Sequence, residues 1–320
     1  MRRTRAPALP GRRPRLNELT GREWIRFTRS WFVENPPPRR PEERAHPAKF
    51  PESLAAAFIG FFTRAGEWVV DPFAGTGSTL VAAQQLGRPS WGLELNPTFA
   101  RSANLRLARG ADPSAVPARV FAADARRLRA LRTEQELPRP SFVLTSPPYW
   151  DMLRQSRGGV RSVHRRRAES GLATQYSRDH RDLGNTTGYE PFLRELLPIL
   201  RDAGSLLGPG RYMVVVLQNL RDPSGAYRRL AWEVASGLDR GALEFQGERI
   251  WCQDSKPLGI WGYPVTFVPN IHHHYCLVFR RRASTTGGSE DRGGASRPRA
   301  RTPRASPPRR AGGAARFARR

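Results

Sequence analysis

Along the 320 residues the apolar positions gather into short runs set between longer polar or amphipathic stretches, and those runs are where strands are expected. Trp68-Val69-Val70 leads into Asp71-Pro72-Phe73-Ala74-Gly75-Thr76-Gly77-Ser78-Thr79, after which Leu80-Val81-Ala82-Ala83 resumes an apolar pattern. The chain therefore reads strand, tight loop, helix at this point. Further strands are expected at 90–95, 120–124, 141–145 and 211–217, with helical patterns between them and helices over 53–62 and 189–200. Strands alternating with helices predict an α/β fold with a doubly wound, mostly parallel sheet. The last two runs, 248–251 and 275–279, bracket a Gly/Pro-rich segment and predict a C-terminal antiparallel hairpin. Near the N-terminus, Trp24, Ile25, Phe27, Trp31 and Phe32 predict a short packed helix within 17–33, which Pro36-Pro37-Pro38 ends.

The same pattern divides the chain into an N-terminal arm, 1–44, carrying that helix, a main domain, 45–282, and a tail, 283–320. Within the main domain, 151–188 is rich in Arg and Gly and poor in aliphatic residues, so a long loop or insertion is expected there. The tail's Arg/Gly/Ser/Pro composition cannot build a core and predicts disorder. Charge sharpens this division. The formal net charge is +26, with Lys49 and Lys256 the only lysines, and the arginines crowd the ends: 12 against 5 acids in 1–44, and 13 against 2 in 280–320. Two cationic arms suit a polyanion, with an affinity that falls steeply as salt rises. No apolar run approaches the roughly 20 residues that cross a bilayer, and the basic N-terminus lacks the apolar centre of a secretory signal. Cys252 and Cys276 give neither a disulfide framework nor metal-ligand spacing, so a reducing, cytoplasmic setting is expected and a membrane partner is not.

Candidate chemistry starts at the loop. Gly75 and Gly77 permit a sharp turn and close backbone approach, and Ser78 and Thr79 stand where a helix would begin, its free N–H groups facing a ligand. The third glycine of a dinucleotide fingerprint is absent, Leu80 standing in its place, which argues against NAD or FAD. Instead, acids close three consecutive strands: Asp71, Glu94 and Asp124. Glu94 follows Gly77 by 17 residues, near the spacing at which an acid reaches ribose hydroxyls. Carboxylates lining the crevice also suit a cationic ligand better than a pyrophosphate.

The next strand ends in Thr145-Ser146-Pro147-Pro148-Tyr149-Trp150. A Ser-Pro-Pro-Tyr motif after an Asp-Pro-Phe-x-Gly-x-Gly loop resembles the S-adenosylmethionine-dependent DNA amino-methyltransferases, which methylate the exocyclic nitrogen of cytosine (N4) or adenine (N6). The resemblance covers about residues 20–282 and takes in His46-Pro47-Ala48-Lys49-Phe50-Pro51-Glu52, similar to the family's N-terminal cofactor-side motif. It implies a Rossmann-like methyltransferase sheet, S-adenosylmethionine as cofactor, double-stranded DNA as partner, and a prokaryotic setting in which a cognate restriction endonuclease can accompany the enzyme. It also implies that Asp71, Phe73, Gly75 and Gly77 cradle the methionine half, Glu94 the ribose and Asp124 the adenine amino group, with His46, Lys49 and Phe50 at the amino-acid end; Ser78, at the helix start, is a further cofactor-binding candidate. The Ser146 hydroxyl and Pro147 carbonyl can hold a weakly nucleophilic amino group with its lone pair toward the methyl. Pro148 adds a rigid turn, and Tyr149 offers a ring to a base rotated out of the stack.

Ser at the head of the Pro-Pro-Tyr motif leans toward cytosine N4 in this family. Adenine N6 stays open, as do methylation of RNA and an idle nucleic-acid-binding protein that has lost its ligand. No room for a recognition domain exists between Asp124 and Thr145. The segment 151–188, with 253–269, is therefore expected to read DNA, Arg157, Arg161, Arg165, Arg166 and Arg167 reaching phosphates or guanine edges. His272-His273-His274 does not point to a metal, since neighbours in a strand face opposite ways.

Overall fold

A computed structural model describes residues 15–35, 50–110, 116–150, 179–222 and 224–283. Helices α1 (Gly21–Phe27), α2 (Glu52–Phe62), α3 (Ser78–Gln85), α4 (Pro97–Arg109), α5 (Leu128–Glu134), α6 (Tyr189–Leu206) and α7 (Leu230–Leu238) surround an eight-stranded sheet. Its strands are β1 (Trp31–Val33), β2 (Val69–Asp71), β3 (Ser90–Glu94), β4 (Ala118–Ala122), β5 (Phe142–Thr145) and β6 (Tyr212–Leu217), then, after a small hairpin of β7 (Leu220–Arg221) and β8 (Tyr227–Arg228), β9 (Leu243–Cys252) and β10 (His273–Arg281). The order is β1-β9-β10-β6-β5-β2-β3-β4. β4, β3, β2, β5 and β6 are mutually parallel, while β10 runs antiparallel to both β6 and β9. This is the α/β, mostly parallel, doubly wound sheet that the sequence predicts, and its C-terminal hairpin is inserted so that β10, not β9, meets the parallel body.

Strand alternation decides which helices cover which face. Val70, Val143, Met213, Val215, Leu277 and Phe279 share a core with α5, α6 and α7. Their neighbours Val69, Phe142, Val214, Val216 and Cys276 pack on α2 and α3. Both faces are therefore buried, which is why the strands read as continuous apolar runs rather than as alternating ones. In α2, Phe58, Ile59 and Phe62 are at most 4% exposed, and burying each is worth about 1.5–3 kcal/mol.

The N-terminal aromatic pattern resolves into two elements rather than one helix. Thr20 and Glu23 form a reciprocal capping box at the start of α1, and the helix ends at Thr28. Trp31-Phe32-Val33 then pairs with Ile250-Trp251-Cys252 as a parallel edge strand. Phe27 stacks on Phe61, and the Arg249 guanidinium lies over the Phe27 and Phe32 rings, so the described part of the arm is fixed to the sheet by aromatic contacts.

Gly92 in β3 permits the close approach that builds the site. A Cβ there would sit 2.7 Å from the Asp71 carbonyl oxygen and 3.0 Å from Ala74 Cβ. Gly92→Ala is expected to destabilise the fold by about 1–3 kcal/mol. The check is a lower melting temperature, by roughly 2–4 °C for each kcal/mol.

Candidate active site

The carboxyl ends of β2, β3, β5 and β6 lie along one edge of the sheet, and the candidate residues gather there. β2 ends at Asp71, which is 1% exposed. One of its carboxylate oxygens accepts from the Phe73 N–H (3.0 Å) and the Thr145 hydroxyl (2.6 Å), and the other from the Thr79 hydroxyl (2.6 Å). Asp71 thus buckles three pieces together: the loop it opens, the start of α3, and the end of β5. Burial pushes its carboxyl up to about 6, against the pull of those three donors.

The loop closes tightly. Gly75 and Gly77 have φ of 54° and 84°, left-handed values that favour glycine, and the Ala74 N–H donates to the Leu93 carbonyl at 2.8 Å. Gly77 caps α3 with no side-chain acceptor. Beside it, the Thr76 and Ser78 hydroxyl oxygens are buried and have no hydrogen-bond partner among the described residues. Buried polar atoms without partners cost about 1–3 kcal/mol each, so this corner is built to receive a polar group.

Glu94 closes β3 and accepts from the Gly75 N–H (2.9 Å) and the Asn96 N–H (2.8 Å). Burial raises its carboxyl to about 7, and the charges of Asp182 and Asp71 push the same way. Asp182 is 5% exposed and accepts from the Gly184 N–H, in the segment that re-enters the described structure after residue 178. No sequence signal marks it, because its neighbours at the site are distant in the chain. Asp124 lies two residues beyond β4, where it accepts from the Arg126 N–H and pairs with its guanidinium at 2.9 Å.

Past Thr145 the motif turns inward. The Ser146 hydroxyl donates to the Val216 carbonyl at 3.1 Å and lies 3.0 Å from the Tyr149 hydroxyl, which donates to the same carbonyl at 3.3 Å. Ser146 and Pro148 are half-buried and Pro147 is buried. Tyr149 is 6% exposed, so the ring that the sequence offers to a base is enclosed, and burial raises its hydroxyl pKa. Trp150 takes φ of 48°, a conformation that costs a non-glycine residue about 1–3 kcal/mol and clusters at functional sites. Its indole N–H donates to the Thr186 carbonyl at 3.1 Å.

From the hairpin, His274 lies 6.0 Å from the Tyr149 ring and stacks on Trp251 at 4.5 Å. Burial holds its imidazole neutral, with a pKa near 3, and its Nδ1 has no partner among the described residues. His273 turns the other way and lies 3.2 Å from the Tyr275 hydroxyl. Among the described residues no group of three or more His, Cys, Asp or Glu side chains could hold a metal ion.

The structure thus brings Asp71, Gly75, Gly77, Ser78, Glu94 and Ser146 to one edge, and adds Thr76, Thr79, Thr145 and Asp182. Phe73 packs half-buried against the core of α6, and Phe50 against that of α2. His46, Lys49, Arg157, Arg161, Arg165, Arg166 and Arg167 lie outside the described residues. No helix among the described residues is long and apolar enough to cross a membrane.

Residues 15–105 match a family described as DNA methylase, of the N6/N4 type. The type II methyltransferase M.MthZI of Methanothermobacter thermautotrophicus is 45% identical over 56 residues, 18% of this chain and 16% of its own. M.Cfr9I of Citrobacter freundii is 39% identical over 77 residues, 24% of this chain and 25% of its own, and M.BglI of Bacillus subtilis 33% over 90 residues, 28% and 25%. Each of these matches covers a quarter or less of the relative's length. Among solved structures, TrmN from Thermus thermophilus aligns with 76% of this chain and 52% of its own at 18% identity and a TM-score of 0.44. The family match ends before Ser146 and takes in α2, the Asp71-to-Thr79 loop and Glu94. Over that region the chain is similar to the N6/N4 DNA methylases and to type II methyltransferases.

Proposed function

We propose that the protein is a DNA methyltransferase that moves the methyl group of S-adenosylmethionine to an exocyclic amino group of a base in double-stranded DNA, cytosine N4 ahead of adenine N6. One observation carries the proposal. The Thr145 hydroxyl bonds Asp71 at 2.6 Å, which fixes Ser146, the next residue, against the loop where the cofactor would sit. The two halves of the chemistry are held in one frame.

The residues fit such a cofactor. Buried Asp71 and Glu94, with Asp182 beside them, favour a cationic ligand, and the unpartnered hydroxyls of Thr76 and Ser78 suit a polar end group. Glu94 would hold the ribose and Asp124 the adenine amino group. When bound, the cofactor supplies an electrophilic methyl on sulfur. The protein's part is to make the amino group a better nucleophile. Since the Ser146 hydroxyl spends its proton on the Val216 carbonyl, at least one oxygen lone pair stays free to accept from an exocyclic N–H. The Pro147 carbonyl can accept from the second N–H, and two such bonds draw the nitrogen away from conjugation with its ring. Tyr149, whose hydroxyl lies 3.0 Å from that of Ser146 and donates to the same Val216 carbonyl, packs beside it. Duplex DNA is the substrate that the arginine-rich composition suits, and a cognate restriction endonuclease is a fitting partner, as the type II names of the relatives suggest.

The test is methyl transfer from labelled S-adenosylmethionine to unmodified genomic DNA and, in parallel, to total RNA, followed by digestion to nucleosides. N4-methylcytosine in DNA is the expected product. N6-methyladenine would move the target base, and label in RNA alone would overturn the assignment to DNA.

A further inference from the structure

The segment between β9 and β10 carries large apolar side chains that no part of the fold uses. Leu258, Ile260, Tyr263, Val265 and Phe267 are each 79–88% exposed. From Pro257 to Ile271 there is no charged residue, in a chain of which 26% of the residues are charged. Apolar side chains exposed singly are ordinary, but five within ten residues mark a contact surface.

The segment is held rather than loose at its base. The Gln253 N–H donates to the His272 carbonyl at 2.7 Å, and the Lys256 ammonium to the Ile271 carbonyl at 3.0 Å. Higher up, the Asn270 amide clamps Gly259 through both its groups, at 2.9 and 2.8 Å, and accepts from the Trp261 indole N–H at 3.0 Å. Above this clamp the Val265 and Thr266 N–H groups both donate to the Gly262 carbonyl, closing a turn. The tip is therefore presented, apolar side chains outward, by a framework of hydrogen bonds.

Its place decides what it meets. β9 and β10 reach the segment with Trp251 opposite His274 and Cys252 opposite His273, and the His274 ring lies between Trp251 and Tyr149. The loop thus rises from the edge that carries Ser146. An exocyclic amino group inside a duplex is out of reach of a hydroxyl fixed on a sheet edge, so the base must leave its stack, which costs a few kcal/mol. On a chain with a net charge of +26 the arginines provide for phosphates, and a neutral apolar tip at the same edge is matched to the stacked interior of the duplex.

Resting on the reading above, we infer that the loop of residues 257–271 is a wedge that enters the base stack beside the target and holds the duplex open while the base is at Ser146. Leu258, Ile260 and Phe267 are the side chains that replace the lost stacking.

The test compares the full-length protein with the triple variant Leu258→Ser, Ile260→Ser, Phe267→Ser, on a duplex bearing the site mapped from genomic DNA that the wild type has methylated. A second duplex has an abasic position opposite the target base, which removes most of the cost of extrusion. The variant is expected to methylate the paired duplex at least tenfold more slowly and the abasic one at nearly the wild-type rate, with an unchanged melting temperature because all three side chains face solvent. Equal loss on both duplexes, or none on either, would overturn the wedge. So would an altered oligomeric mass or altered binding to anionic lipid vesicles with methylation of the paired duplex unimpaired, since the surface would then belong to a second copy or to a membrane. If the wild type methylates neither DNA while binding S-adenosylmethionine, the functional reading itself fails, and the wedge with it.

Discussion

Ser146→Ala should leave a protein that folds and binds S-adenosylmethionine but transfers its methyl group about 10²–10³-fold more slowly, the cost of removing one positioned hydrogen-bonding group from a reaction centre. The contrast between binding and rate follows from where the hydroxyl is anchored. It donates to the Val216 carbonyl beside the Tyr149 hydroxyl, whereas the Asp71-to-Thr79 loop is tied to β5 one residue earlier, through Thr145 and Asp71. Removing the Ser146 hydroxyl therefore leaves that tie intact. Tyr149 keeps its own bond to Val216, so the lost stability should be about 1 kcal/mol. Single-turnover transfer, calorimetric cofactor binding and thermal unfolding on the same variant separate these effects. A parallel collapse of cofactor affinity would mean that Ser146 holds the cofactor side rather than the base. Thr145→Val supplies the converse: without its hydroxyl Asp71 loses one of three donors, and both cofactor affinity and stability should suffer.

The strands of the parallel body were legible because both their faces are covered, which leaves uninterrupted apolar runs such as Val69-Val70 and Phe142-Val143-Leu144. The glycines of the loop were legible because left-handed φ leaves few alternatives, and Asp71 and Glu94 because each terminates a strand, whereas Asp124 stands two residues past the end of β4. What escaped depends on partners far away in the chain. β1 is three residues long and has no period of its own, so its pairing with residues 250–252 fixes it as a strand. The insertion of β10 between β6 and β9 is a matter of sheet order, on which periodicity is silent. Asp71 could be read as an acid beside a cofactor but not as a buckle, since that role needs Thr79 and Thr145. Tyr149 reads as a free aromatic face because aromatic type carries no direction, and the Val216 carbonyl that draws its hydroxyl inward lies on another strand. Asp182 follows a long segment without apolar period, so nothing local tells that it returns to the site.

Binding of S-adenosylmethionine should strengthen as pH rises from about 5 to 7.5 and should release protons. In the free protein burial raises Asp71 to about 6 and Glu94 to about 7, so both are partly protonated at mildly acid pH. A cationic ligand favours their ionised forms and must expel those protons, so affinity climbs by up to tenfold per pH unit for each group and levels off above the folded pKa values. The stability of the free protein runs in the opposite direction. Both folded pKa values lie above the ordinary values of 3.8 and 4.5, so the stabilising contribution is complete below about pH 4 and is lost as pH rises through 6 and 7. Each group accounts for an amount of order 3 kcal/mol. The melting temperature of the free protein should fall over this range relative to Glu94→Gln, in which Glu94 no longer titrates. The gap between free and cofactor-bound protein should widen over the same range. Calorimetry near pH 6.5 in buffers of different ionisation enthalpy counts the protons released. An affinity independent of pH, with no proton release, would mean that the ligand's positive charge does not reach these carboxylates. The acids at the ends of β2 and β3 would then serve the loop's geometry alone.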